Sequence, residues 1–255
     1  MLELQEQSVS PRAKARYRVE LACTPAQVKE AQQLRYRVFC EEMGASLPTA
    51  SQEIDRDDFD HLCKHLIVRD QSSWSVVGTY RVLTPEAARA RGGYYADTEF
   101  DLARLDDLRP LIAEVGRAAI HPDYRGGSVI LLLWSGLAQL MVEAGYRYVI
   151  GCASIPLSDG HSNAVQVYRD VAARALAPQD MRVHPRHAYP LRESQPIASL
   201  VPPKIPPLIK GYLRLGAWIG GEPAWDPDFG TADVFVILPL ARMNAQYARH
   251  FRAAA

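Results

Sequence analysis

A glutamate and an arginine interrupt an otherwise small and apolar segment near the middle of the chain, in the run Glu114-Val115-Gly116-Arg117. Side chains alternate between the two faces of a regular strand, so Glu114 would share its face with small or apolar neighbours. Such surroundings desolvate a carboxylate and raise its pKa towards the range of a general base. Glu114 is therefore a candidate for removing a proton from a reacting group.

Arg117 would lie on the opposite face of the same strand. The two side chains can meet in one cleft only if a β-bulge near Gly116 shifts the alternation. The alternative is that Glu114 and Arg117 each form a structural ion pair elsewhere. Downstream, the turn Arg125-Gly126-Gly127-Ser128 leads into an apolar helix pattern. Free N–H groups at a helix N-terminus with an arginine alongside suit a phosphate group, although glycines before a helix are often only a turn.

Two further arginines occupy positions where apolar residues are expected. Arg35 lies within the apolar sector of a helix pattern, and Arg81 lies inside the strand pattern Val77–Leu83. A buried charge without a partner is costly, so each needs a carboxylate or water, or has only its stem buried at the edge of the core. The candidate carboxylates form one acidic run, Glu53, Asp55, Asp57, Asp58 and Asp60. That run lacks the glycine of a calcium-binding loop, so it indicates an electrostatic pocket for an amine or for arginine side chains, and no metal site.

The composition restricts the class of protein. A chain of 255 residues with 48% hydrophobic content can bury a sizeable core. Its 29 basic and 29 acidic residues leave no net charge, which argues against a nucleic-acid partner held by phosphate contacts. The four cysteines lack metal-type spacing and suit reduced thiols in a cytoplasm. Because no signal-peptide core or apolar run of roughly 18 residues is visible, we expect a cytoplasmic protein that can also lie on the inner surface of the membrane.

Strand and helix patterns intermix along the chain. A helix is predicted from Pro25 to about Met43, and two consecutive strands follow, in the runs 57–70 and 74–85. A strand–helix–strand unit follows, and a late strand covers 232–240. This order predicts an α/β or α+β layered domain around a mixed sheet. We expect a flexible N-terminus over residues 1–16 and a single domain over 17–255, with a C-terminal extension from about residue 185.

Four segments, in this order and spacing, resemble the N-acyltransferases of the acyl-homoserine-lactone synthase type, which belong to the GNAT superfamily. They are LRYRVFCEEMG, DDFDHL, VVGTYRVL and EVGR. The stretches 113–141 and 205–251 are similar to the bacterial L-ornithine Nα-acyltransferases of ornithine-lipid synthesis, often labelled hemolysin-like. The resemblance covers roughly Tyr17 to Phe251, and the C-terminal stretch is its most specific part.

This resemblance implies a GNAT-like mixed sheet that is splayed at its centre and flanked by helices. The implied donor is a 3-hydroxyacyl chain carried as a phosphopantetheine thioester on acyl carrier protein, with no separate cofactor and no metal. The implied acceptor is the α-amine of L-ornithine, and the product is a lyso-ornithine lipid. The implied partners are therefore acyl carrier protein, ornithine and the inner membrane surface.

The resemblance also implies roles for individual residues. Glu114 and Arg117 match the family's E-x-x-R strand, with Glu114 as the base, and Tyr168 is the candidate general acid. Four residues match acceptor-side positions: Arg35, Asp57, Asp60 and Arg81. The donor phosphate would lie at Arg125, Gly126, Gly127 and Ser128. This turn departs from the coenzyme A motif of general GNAT enzymes because two glycines follow Arg125 at once, which favours a carrier protein with a single phosphate.

Other functions also fit parts of the sequence. One is an N-acyl amino-acid synthase that uses glycine, lysine or tyrosine, and another is a synthase of the acyl-homoserine-lactone type. The alternative from a different class is a hemolysin-like membrane-active protein. The neutral charge and a glutamate within an apolar strand argue against that last alternative.

Overall fold

An eight-stranded sheet organises the chain in the computed structural model, which describes residues 16–158, 162–191 and 202–243. The strands are β1 (Tyr17–Leu21), β2 (Lys64–Asp70), β3 (Val76–Leu83), β4 (Phe100–Asp101), β5 (Ile112–Ile120), β6 (Tyr148–Pro156), β7 (His184–Pro185), β8 (Trp218–Ile219), β9 (Ala224–Asp226) and β10 (Thr231–Pro239). The helices are α1 (Pro25–Tyr36), α2 (Pro85–Arg91), α3 (Ala96–Glu99), α4 (Ser128–Ala144), α5 (Ser162–Ala175) and α6 (Pro207–Leu215).

The sheet has the order β1-β2-β3-β5-β6-β10-β8, and β9 pairs with β10. Neighbouring strands are antiparallel except β5 and β6, which are parallel. β4 and β7 form a separate two-stranded sheet. The prediction of a mixed sheet with intermixed helices is confirmed.

Apolar side chains fill both faces of the sheet. Helices α4, α5 and α6 cover one face and contribute Leu133, Val167 and Tyr212 to its core. Helices α2 and α3 cover the other face, where Phe100 and Phe235 are fully buried. The described part of the chain contains no helix that is long and apolar enough to cross a membrane.

The first helix keeps its predicted extent but changes its type. Thr24 and Gln27 form a capping box at its N-terminus, which satisfies backbone N–H groups that have no helical partner. The α-helix ends at Tyr36 and continues as a π-helical segment, Arg37–Glu42, before Gly44. This wider turn carries Val38 and Phe39 to the cavity described below.

The second strand begins later than its sequence pattern predicts. The acidic stretch before Lys64 forms turns, so the prediction of a strand over the whole run from Asp57 is wrong. Asp57 accepts the N–H of Phe59 at 2.9 Å, and Asp60 accepts the N–H of Asp57 at 3.0 Å. Aspartate side chains that bind nearby backbone in this way compete with strand pairing.

The segment after residue 206 packs inside the protein. Ile209, Tyr212 and Leu215 of α6 are buried against the core, and the same helix borders the cavity described below through Leu208 and Gly211. Of the predicted N-terminal segment 1–16, residues 1–15 lie outside the described residues, as do residues 192–201 and 244–255 of the predicted C-terminal extension.

Strands β5 and β6 diverge at the centre of the sheet. Their pairing extends only from Ile112–Tyr148 to Glu114–Ile150. Beyond this point Gly151 lies directly against the carbonyl oxygen of Val115, where a Cβ atom would overlap that oxygen. The predicted central splay is therefore confirmed, and glycine is needed where the strands separate.

We predict that Gly151→Ala lowers the free energy of unfolding by about 1–3 kcal/mol, because the backbone must shift to admit the methyl group. Denaturant unfolding followed by circular dichroism measures this. Gly126→Ala is the matched control, since a Cβ atom there meets nothing within 4 Å. Equal unfolding midpoints for the two variants would contradict the close approach.

Candidate active site

A cavity of about 840 Å³ occupies the gap between the diverging strands. Its lining is polar on one side, where Glu114 and Arg117 of β5 lie. The other side is apolar and is formed by α4 and α6, with Trp134 and Leu208 among its residues. The cavity thus joins a charged compartment to an apolar slot through the splayed sheet.

Glu114 is the buried carboxylate of this cavity. It is only 5% exposed, and its two oxygens accept the backbone N–H groups of Tyr95 at 2.6 Å and Ala96 at 2.7 Å. Burial raises the pKa of Glu114 to about 7, against the lowering effect of these two hydrogen bonds. A carboxyl group with this pKa is half ionised near neutral pH, which suits a general base.

A β-bulge brings Arg117 to the same cavity. In the β3–β5 pairing, Arg81 faces Gly116 and Thr79 faces Ala119, so two residues of β5 oppose one of β3. Arg117 takes a left-handed backbone conformation there, with φ of 52°. The conditional prediction of a bulge near Gly116 is confirmed, and Glu114 and Arg117 line one cavity.

Arg117 is held by both charges and rings. Its guanidinium lies 3.4 Å from Asp55 and 3.2 Å from Asp57. It also lies 4.6 Å from the ring centre of Phe229 and 5.2 Å from that of Tyr95. Such contacts fix the position of the guanidinium in the wall of the cavity.

Arg35, behind the cavity wall, and Arg81, within the wall, pair with the same acidic run. Arg35 is fully buried, and it binds both oxygens of Asp60 at 2.8 Å. Arg81 binds Asp57 at 2.6 Å. Burial alone would raise the pKa of Asp60, but the hydrogen bond and charge of Arg35 lower it overall. The expected partners of both arginines are thus found in the run that was predicted to supply them.

Only part of the predicted acceptor-side set reaches the cavity. Arg81 lines it, whereas Arg35, Asp57 and Asp60 do not. Their predicted contact with the acceptor stays a prediction. What their geometry does show is a network that positions Arg81 and Arg117.

The glycine turn lies at the opposite end of the cavity. Arg125 and Gly127 line it, and Gly126 and Ser128 flank them. Gly127, with φ of 98°, precedes α4, whose N-terminus has no side-chain cap. Arg125 binds both oxygens of Glu42 at 2.6 Å, which leaves its guanidinium anchored beside this helix end. The uncapped N–H groups and the arginine form an arrangement that suits an anion.

Tyr168, the predicted general acid, lies on α5 and is absent from the residues that line the cavity. Its role stays a prediction that this position does not favour. Three other tyrosines line the cavity, Tyr80, Tyr95 and Tyr212, and the hydroxyl groups of Tyr80 and Tyr212 contact each other. Burial raises the pKa of Tyr212 well above its ordinary value.

Sequence reasoning missed several residues of the polar compartment. Tyr95 and Ala96 act through backbone N–H groups, which no side-chain pattern reveals. Asp226 and Asp233 line the cavity on the side of β9 and β10. A signal for Asp233 was present, because it is a charged residue within the apolar run of the last strand.

Solved structures share this fold. An N-acyl amino acid synthase from uncultured soil microbes, FeeM, aligns with a TM-score of 0.54 at 12% identity over 92% of this chain and 98% of that chain. The acyl-homoserine-lactone (AHL) synthase LasI aligns with a TM-score of 0.51 at 14% identity over 88% of this chain and 90% of that one. At these identities the likeness establishes the fold alone.

Sequence relatives establish the family. Residues 34–135 match an acetyltransferase (GNAT) domain. The chain is 37% identical to the L-ornithine Nα-acyltransferase of Brucella abortus, over 93% of this chain and 89% of that protein. It is 34% identical to the protein of the same name from Rhizobium meliloti, over 94% and 85% of the two chains. The chain therefore belongs to the L-ornithine Nα-acyltransferase family and is an N-acyltransferase.

Proposed function

We propose that this enzyme transfers a 3-hydroxyacyl chain from acyl carrier protein to the α-amine of L-ornithine and forms a lyso-ornithine lipid. The observation that carries the proposal is Glu114, a buried carboxyl group with a pKa of about 7 that lines a cavity between a charged compartment and an apolar slot. The names of the relatives supply the acceptor.

The reaction is the aminolysis of a thioester. An α-ammonium group has no lone pair, so a base must first take its proton, directly or through a water. Glu114 takes that proton, and the free amine then attacks the thioester carbonyl carbon. The new C–N bond forms and the C–S bond breaks. The nitrogen then loses its second proton, the phosphopantetheine sulfur gains one and leaves as a thiol, and Glu114 returns the first proton to solvent.

The splayed strand supports the carbonyl group during this attack. Because β6 pairs with β5 only as far as Glu114, the later edge of β5 faces the cavity. Backbone N–H groups among residues 116–119 are candidates to polarise the thioester oxygen, on which negative charge develops. The fixed gap also holds amine and carbonyl at a reactive distance.

The two ends of the cavity suit the two substrates. The N-terminus of α4 with Arg125 would hold the single phosphate of phosphopantetheine. The acyl chain would enter the slot between α4 and α6, beside Ile130 and Trp134. On the polar side, Arg117 carries the charge that an α-carboxylate needs. Because the product is amphiphilic, we also propose that the enzyme releases it at a membrane surface.

Acyl transfer to a panel of amino acids tests this proposal. Purified enzyme, acyl carrier protein loaded with a 3-hydroxyacyl chain and a single amino acid are combined, and the product is identified by mass spectrometry. We expect N-acyl-ornithine to form fastest, with acylation at the α-nitrogen. Faster transfer to glycine or tyrosine would favour an N-acyl amino-acid synthase, and transfer to no amine would overturn the proposal.

We predict that Glu114→Gln lowers kcat/KM about 10²–10⁴-fold, the usual contribution of a general base. In the wild type, kcat/KM should rise with pH through about 7, the pKa of Glu114, and this limb should be absent from the residual activity of the variant. Glu143→Gln, an exposed site at the end of α4, is the control.

The variant should fold normally. Because the pKa of Glu114 is raised from 4.5 to about 7 on folding, its ionisation destabilises the folded state as pH rises through that range. Glu114→Gln should therefore be at least as stable as the wild type at pH 8 in denaturant unfolding. Full activity in this variant would remove Glu114 from the mechanism.

We predict that Ile130→Trp shortens the acyl slot. The kcat/KM for a long acyl donor relative to a short one should fall at least about tenfold, since each buried methylene contributes about 0.8 kcal/mol. Steady-state rates with carrier proteins that bear chains of different length measure this. Val142→Trp lies on the same helix but is 76% exposed, and should leave the ratio unchanged. An unchanged ratio in Ile130→Trp would place the acyl chain elsewhere.

A further inference from the structure

Three carboxyl groups converge in the polar compartment on the sheet face that carries Glu114. They belong to Glu99 at the end of α3, Asp226 at the end of β9 and Asp233 in β10, and their oxygens lie within 4.8 Å of one another. The shared face follows from the strand register. Glu114 pairs with Ile150 of β6, and Asp233 pairs with Ser154 four residues further along the same strand. We call these three residues the acidic cluster.

The acidic cluster has no cation of its own among the described residues. None of the ion pairs in that part of the chain includes Glu99, Asp226 or Asp233. The aspartates Asp55, Asp57 and Asp60 differ in this respect, because each lies within 4 Å of an arginine. Burial raises the pKa values of Asp226 and Asp233, and the charge of Arg117 in the same cavity opposes this rise without forming an ion pair with either of them. The cluster therefore contains carboxyl groups that no cation of the described residues binds directly.

Glu99 makes no ion pair in the described part of the chain. Both of its carboxyl oxygens are buried and make no hydrogen bond of standard geometry, although Cys152 and Tyr95 lie within interaction distance of them. Burial, followed by repulsion from Asp233, raises the pKa of Glu99 to about 9. Asp233 is only 3% exposed and accepts a hydrogen bond from Thr231 at 2.7 Å, and burial raises its pKa to about 6. A bound cation would lower the pKa values of both Glu99 and Asp233.

The acidic cluster opens into the cavity that contains the base. Asp226 and Asp233 line the cavity together with Glu114 and Arg117, and Cys152 lies between the two groups of charges. One compartment therefore presents a guanidinium, a general base and two carboxyl groups that make no ion pair among the described residues. An acceptor that fits all three would carry a carboxylate, a reactive amine and a second cationic group.

We propose that the acidic cluster binds the side-chain ammonium group of the amino-acid acceptor while its α-amine faces Glu114. This inference rests on the proposed function, in which the acceptor is L-ornithine. The two nitrogens of ornithine are separated by five single bonds of about 1.5 Å, so an extended molecule spans about 6 Å between them. Arg117 faces the α-carboxylate, and the cluster selects the diamino acid over neutral amino acids.

A hard divalent cation is the competing ligand, since three carboxylates can also form such a site. Two observations favour the ammonium group. Asp226 and Asp233 line the compartment that must admit the acceptor amine, and Glu99, which does not line it, has an oxygen within 4.8 Å of an oxygen of each. An ammonium group needs only hydrogen-bond acceptors, which the carboxyl oxygens of Asp226 and Asp233 supply at the cavity wall. The binding experiment is therefore also carried out with Mg²⁺ or Ca²⁺ and with a chelator.

Binding of L-ornithine and L-norvaline to the free enzyme tests the inference by calorimetry. Norvaline has the same carbon chain as ornithine but lacks the δ-amine. The wild-type enzyme should bind ornithine at least about tenfold more tightly, the size expected for a charge-assisted hydrogen bond. Asp233→Asn and Glu99→Gln, checked for folding by circular dichroism, should each remove most of that preference and leave norvaline binding unchanged.

Asp228→Asn is the matched control, because this exposed aspartate lies in the β9–β10 loop and does not line the cavity. It should keep the full preference for ornithine. In acyl transfer, Asp233→Asn should raise the KM for ornithine about tenfold and lower kcat much less. It should not change the kinetic constants for norvaline.

The inference is wrong if the wild-type enzyme binds ornithine and norvaline equally tightly, or if it shows no measurable binding of ornithine. It is also wrong if the cluster variants lose affinity for both ligands equally, because that result indicates a structural role for the cluster. Ornithine binding that requires Mg²⁺ or Ca²⁺ and disappears with a chelator would assign the cluster to a metal instead. Failure of acyl transfer to every amine would overturn the proposed function alone, since the binding preference is measured without a donor.

Discussion

The separation of β5 from β6 is the constraint on which the candidate site depends. Parallel pairing stops at Glu114, and the gap beyond it forms the cavity. If pairing continued to the end of both strands, the backbone edge of β5 would be satisfied by β6 and no channel would join the two faces of the sheet. Gly151 and the bulge at Arg117 are the local features that accompany this separation.

The charged residues divide into two classes by how they are compensated. Arg35, Asp57 and Asp60 form a network in which buried charges have opposite partners at hydrogen-bond distance. Such a network positions other residues and has little charge left for a ligand. Glu114 and the acidic cluster are different. Their hydrogen bonds and neighbouring charges do not fully offset the effect of burial, so the pKa values of Glu114, Glu99 and Asp233 rise. Perturbed carboxyl groups in a cavity mark the chemistry of an enzyme more often than a structural role.

The cavity also explains how one fold can join unlike substrates. Its apolar side, between α4 and α6, is reached through the gap from the side that carries Glu114, Arg117 and Asp233. An acyl chain and a zwitterionic amino acid would therefore approach the reacting centre from different compartments. Fixed compartments of this kind hold the two reacting atoms together without large movements of the chain.

Much of the fold and part of the site followed from the sequence. Charged residues within apolar patterns identified Glu114, Arg117, Arg35 and Arg81, because a desolvated charge needs a specific reason. The same signal was present at Asp233 and was not used. Glycine and proline positions predicted where α4 begins and where the helix after β1 stops, since these residues act on local backbone geometry.

The tertiary structure alone decided which charges pair and which remain for chemistry. Nothing in the acidic run distinguishes carboxylates that bind Arg35 from carboxylates that would bind a substrate. The same holds for the backbone donors of Tyr95 and Ala96 and for the convergence of Glu99 with Asp226 and Asp233 of the distant β9–β10 pair. Sequence patterns report the burial of single residues because burial follows local periodicity, whereas pairing depends on contacts between segments that only the folded sheet brings together.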